Sequence, residues 1–97
     1  MHPAICPAIQ TRHRLNFVYD GYPRIIEPHT YGITTAGNEA LRCYQVGGSG
    51  SDGKSTGWHL MTLDKILGLT TQADTFPGPH EGYQRGDSAF SRIFCEL

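Results

Sequence analysis

The sequence predicts a small, mainly β chain with a short N-terminal helix, on three observations. Turn formers are abundant, with 12 Gly and 6 Pro in 97 residues, a content that goes with short strands joined by many turns. Apolar residues alternate with a period of two along residues 14–19 and again along 40–46, the spacing of a half-buried strand. Helical spacing is clear only at the start of the chain.

There, Ala4, Ile5, Ala8 and Ile9 share one helical face. Pro7 is tolerated only in a first turn, so a helix of one to two turns is expected. The period then changes. Leu15, Phe17 and Tyr19 point one way and Arg14, Asn16 and Val18 the other. Asp20-Gly21 is a hairpin turn pair, and Arg24-Ile25-Ile26-Glu27-Pro28 resumes extended chain. Pro28 has no N–H for a ladder, which marks an edge or a bend.

After a turn at residues 36–39, the next strand sets Leu41 and Cys43 on one face and Arg42, Tyr44 and Val46 on the other. Residues 58–63 form the next ordered piece. Residues 66–71 read as a strand or a turn leading to one, and Phe76-Pro77-Gly78-Pro79 as a connector. In the tail, Phe90, Ile93, Phe94 and Leu97 fit a helix, while residues 92–97 fit a closing strand equally well. There is no internal repeat, and the length allows one domain, residues 1–97.

The net charge of −1 excludes the broad basic footprint of a nonspecific nucleic-acid binder, though not a local cationic patch. Cys6, Cys43 and Cys95 are odd in number, far apart and without a C-x-x-C. That pattern predicts no disulfide framework and a reducing compartment. Neither a signal peptide nor an apolar run near the ~20 residues of a membrane span is visible, so the expected location is cytoplasmic and no membrane partner is expected.

Residues 48–55, Gly-Ser-Gly-Ser-Asp-Gly-Lys-Ser, match the phosphate-cradling pattern G-x-x-x-x-G-K-S/T. A working loop of that kind needs a helix directly behind it and a parallel sheet around it. Gly57 interrupts the first, and the chain is too short for the crossovers of the second. The match therefore reads as a Gly/Ser-rich hairpin loop. His2-x-x-x-Cys6 is the only short His/Cys pairing and has no second pair, so no metal or other cofactor is expected. No nucleophile motif is present, and the expectation is a binding protein, not an enzyme.

The order of motifs resembles the WYL-domain family. The residues that carry the likeness are Ala8-Ile9, Arg12-His13-Arg14-Leu15-Asn16-Phe17-Val18-Tyr19, Arg24-Ile25-Ile26-Glu27-Pro28-His29, residues 37–44 and Met61-Thr62-Leu63-Asp64-Lys65-Ile66. Together they span residues 8–67. The tripeptide that names the family falls on Glu39-Ala40-Leu41, and Thr62 stands where the family has arginine. The resemblance implies a small Sm-like or SH3-like β-barrel, here as a stand-alone, diverged member. It also implies a ligand-sensing, regulatory module of bacterial transcription control or phage defence, taking a nucleotide, single-stranded nucleic acid or other anionic ligand.

Arg42 beside Tyr44 on an open face suits such a ligand, since the guanidinium pairs a phosphate while the ring stacks a base. Arg14, Arg24, His29 and Lys65 are the further candidates, with His59 beside them. Phe17, Tyr19 and Trp58 are assigned to the core. The rival reading is an interaction or oligomerisation module that pairs an exposed strand edge with another copy or a regulatory protein.

Overall fold

The structure, a computed structural model, describes residues 1–50 and 56–97. Among the described residues one helix, α1 (Ile5–Thr11), precedes six strands: β1 (His13–Tyr19), β2 (Tyr22–Thr34), β3 (Glu39–Gly48), β4 (Gly57–Thr62), β5 (Ile66–Thr75) and β6 (Phe90–Glu96). A single 3-10 turn, Leu63–Lys65, links β4 to β5. Pro7 does lie in the first turn of α1, and Arg12 ends the helix in the left-handed region at φ 58°.

All ladders are antiparallel, in the order β4-β3-β2-β1-β5, with β6 also paired to β2. The β1–β2 hairpin turns through Asp20 (φ 52°) and Gly21 (φ 79°), the two positive φ values that a turn matching strand twist requires. β2 is the spine. Its first half pairs with β1 up to Leu15↔Ile26, and its second half pairs with β6 from Thr30↔Glu96.

Between those halves the β2–β3 register slips, from Pro28↔Cys43 to Thr30↔Arg42, leaving His29 as the extra residue. The proline that cannot donate a ladder bond thus sits at a bulge, where strands bend and twist more tightly. The bend helps the sheet curl, and the molecule's extents are nearly equal, 29 × 28 × 26 Å. Among the described residues no ladder joins β4 to β5, so the sheet is not closed.

Inside the curl, Ile5 and Ile9 of α1 pack with Leu15, Phe17, Ile26, Tyr31, Leu41, Cys43 and Met61. Each such side chain contributes about 1.5–3 kcal/mol by leaving water. The tail resolves as a strand, β6, because the outer half of β2 offers it an unpaired edge. Gly32 allows that pairing: a Cβ there would overlap the Arg92 carbonyl oxygen and come within 2.9 Å of Ile93 Cα.

One expectation needs correction. Cys6 and Cys95 form a disulfide across 89 positions of sequence, which ties α1 to β6. Spacing rules read local motifs, whereas this pair is made by topology. A disulfide persists where thiols are oxidised, which removes the ground for expecting a reducing compartment. Cys43 alone stays free, and burial pushes its thiol up to about 12. Residues 51–55 of the phosphate-loop pattern lie outside the described residues; Gly57, just behind them, opens a strand antiparallel to β3, where a phosphate loop would need a helix. No helix among the described residues is long and apolar enough to cross a membrane.

Candidate ligand-binding site

The outer face of β2, β3 and β4 carries two cross-strand rows. Register places Glu27, Tyr44 and Trp58 side by side in one row and Thr30, Arg42 and Leu60 in the next. Alternation along β3 puts Tyr44 and Arg42 on this face together while Leu41 and Cys43 face the core. Over the rows runs the connector between β5 and β6, residues 76–89. Phe76 opens it, buried and held by its N–H to the Arg12 carbonyl at 2.9 Å.

His29 fastens the connector down. The bulge sends its ring to the outer face, among Trp58 (ring centroids 4.7 Å apart), Tyr83 (5.2 Å) and Phe76 (5.8 Å). Nδ1 lies 2.8 Å from the Glu27 carbonyl, and Nε2 is 2.9 Å from the His80 backbone N–H, which donates to it. Those two bonds define one neutral tautomer, with the proton on Nδ1. Burial lowers the His29 pKa and outweighs the upward pull of Glu27. His29 is a clamp, not a contact for an anion.

The arginines divide. Arg14 Nε and Nη2 both donate to Glu27 Oε2, at 3.1 and 3.0 Å. Glu27 is buried, so this arginine is committed to neutralising it; removing one partner of such a pair strands a charge. Arg24 lies on the core side of the sheet, opposite Phe17 in register. It is 5% exposed, donating to Gln45 Oε1 at 3.1 Å and the Tyr19 carbonyl at 3.2 Å, and its Nε has no partner. Lys65 sits exposed in the 3-10 turn, and among the described residues no hydrogen bond or ion pair joins it to the other five candidates.

Arg42 is different. Its Nε donates to Asp87 Oδ2 at 2.7 Å, and among the described residues the terminal amino groups have no hydrogen-bond partner. A guanidinium has five N–H donors, so most of its capacity is open. Burial would raise the Asp87 carboxyl, but the hydrogen bonds from Arg42 and the Ala89 N–H, with the Arg42 charge, prevail and hold it below its ordinary value. Beside the pair lies a cavity of about 280 Å³, lined by Arg42, Trp58, Gly82, Tyr83, Gln84, Asp87 and Ser88. Trp58 is set at its wall by Nε1–H donating to the Glu81 carbonyl at 3.0 Å.

Of the sequence candidates, the structure therefore places Arg42 alone in the lining of the groove, with Tyr44 on the same strand face, under the His80 ring. Arg14 and His29 stand on the same face but are spoken for, and Arg24 and Lys65 lie elsewhere. Trp58, Tyr83 and Asp87 were not foreseen in this role. The signal for Tyr83 and Asp87 was slight: polar and aromatic residues scattered through a Gly/Pro-rich connector. Among the described residues no group of three or more His, Cys, Asp or Glu side chains is placed to hold a metal ion. Comparison of the chain with protein-family models, with curated proteins and with solved structures finds no match.

Proposed function

We propose that this is a binding module for a small anionic ligand with a planar ring, a nucleotide or one unit of single-stranded nucleic acid, seated at the Arg42 groove. The single observation that carries the reading is Arg42, whose terminal amino groups have no partner among the described residues, lining one cavity with Trp58 and Tyr83. A guanidinium offers a phosphate a two-pronged, charge-assisted contact, and an aromatic wall offers a base a stacking surface. No covalent step is involved. An Sm-like or SH3-like type for the curled sheet, and a regulatory role in the manner of WYL domains, belong to the same proposal. Their support is the motif order along residues 8–67 and the strongly bent β2.

The test is fluorescence anisotropy with a short labelled oligothymidylate. Arg42→Ala is expected to weaken binding about ten- to a hundredfold, the range for losing a charged hydrogen-bonded contact. Lys65→Ala is expected to leave it unchanged. Equal affinity of wild type and Arg42→Ala removes the groove as the site.

A second reading rests on β5. This ten-residue strand pairs with β1 on one side, and no ladder occupies its other edge among the described residues. Leu67 on it is 66% exposed. Such an edge is a template for a strand from another chain. A tight oligomer in light scattering, without affinity for the oligonucleotide, favours it.

A further inference from the structure

The connector does more than border the groove. Its His80 ring lies flat on Tyr44, centroids 3.4 Å apart and planes 15° from parallel. Seven positions later its Asp87 carboxylate takes the Nε of Arg42. One segment thus lays a planar heterocycle on the stacking residue and an anion on the cationic residue of the same strand face.

Tyr44 and Arg42 are two positions apart on one face of β3, a separation of about 7 Å at strand rise. Side chains that close along one strand face can meet a ring and an anion belonging to one small ligand. We infer that residues 76–89 form an internal strap whose His80 and Asp87 occupy the places of a ligand's base and phosphate, so that the ligand is a mononucleotide unit that competes with the strap. This inference rests on the binding reading above and goes past it. It names the ligand by the pairing of a planar ring with an anion and makes the free protein self-blocked.

The strap is built to exchange without detaching. Its anchors are elsewhere: the His80 backbone N–H on His29, Tyr83 Oη on the Leu97 carbonyl at 2.9 Å, and the Gly86 N–H on Glu96 Oε1 at 2.7 Å. None of these uses the His80 ring or the Asp87 side chain. The His80 side chain is 37% exposed, with Nδ1 3.6 Å from Glu27 Oε1. The Arg42 and Asp87 side chains keep 27% and 13% of their surface exposed, so a phosphate, with more charge and more acceptor oxygens, can reach Arg42 and compete with Asp87 for it. The groove is then the portion of the site that the strap leaves uncovered.

Isothermal titration with adenosine 5′-monophosphate tests this on the intact chain. The variants are His80→Ala with Asp87→Asn, which keeps the strap's backbone anchors, and the same pair with Arg42→Ala. If the strap is open about a tenth of the time, removing its two mimics tightens binding about tenfold, because apparent affinity scales with the competent fraction. Adding Arg42→Ala is expected to abolish that gain. Should wild type bind while the double variant binds equally or more weakly, the strap is overturned and the binding reading stands. Should neither bind, although thermal melts show both folded, both are overturned.

Discussion

Reduction of the Cys6–Cys95 bond is expected to destabilise the folded protein by roughly 4–5 kcal/mol. The bond closes a loop of almost the whole chain, 89 positions apart. Loop-closure entropy removed from the unfolded state grows with the logarithm of that length, which places the effect near the top of the usual range. A domain of this size has a total stability of about 5–15 kcal/mol, so about a quarter or more of it hangs on one bond. The bond also joins α1 to β6, and both belong to the packed interior through Ile5, Ile9 and Phe94. In urea, dithiothreitol is expected to lower the unfolding midpoint by roughly 2–3 M for a typical dependence on denaturant. Cys43 will not scramble the pairing, since a buried thiol with its pKa near 12 supplies almost no thiolate. Identical midpoints with and without reductant contradict the bond.

Gly32→Ala is the second large effect. The added methyl would overlap the Arg92 carbonyl oxygen and stand 3.0 Å from the Arg92 carbonyl carbon. The clash is with backbone, which has no rotamer to yield. β6 must therefore move off β2, breaking the register that runs from Thr30↔Glu96 to Thr34↔Phe90. A loss of about 3 kcal/mol is expected, at the upper end for overpacked sites. Hydrogen exchange locates it: amides of β6 should lose protection while those of the β1–β2 hairpin keep theirs. A wild-type exchange pattern in Gly32→Ala contradicts the close approach.

Local chemistry was legible, and partnerships across long stretches of chain were not. The Asp20-Gly21 turn, the bend at Pro28 and the two-faced strand at Arg42 and Tyr44 all follow from residues next to one another. Residues 90–97 stayed ambiguous because their apolar spacing fits two periods. The edge of β2 decides in favour of a strand, and no sequence neighbour reveals that edge. β5 ran longer than the strand expected at residues 66–71, reaching Thr75 through two register shifts against β1 that blur its alternation. Arg24 shares its phase on β2 with Ile26, so its inward direction was there to be read. Arg42's partner was not: Asp87 lies 45 positions away on an irregular segment. The pairing of Cys6 with Cys95 is the extreme case, since odd, scattered cysteines look free until topology brings two together.

The most direct test of the binding reading is a titration of the uniformly labelled protein with adenosine 5′-monophosphate, followed by amide and indole NMR shifts. The expected result is saturable change at Arg42, Tyr44, Tyr83, Asp87 and the Trp58 indole, with Val18 and Leu67 at the far end of the sheet undisturbed. Shifts gathered instead around Val18, Leu67 and β5, or no saturable change anywhere, contradict it.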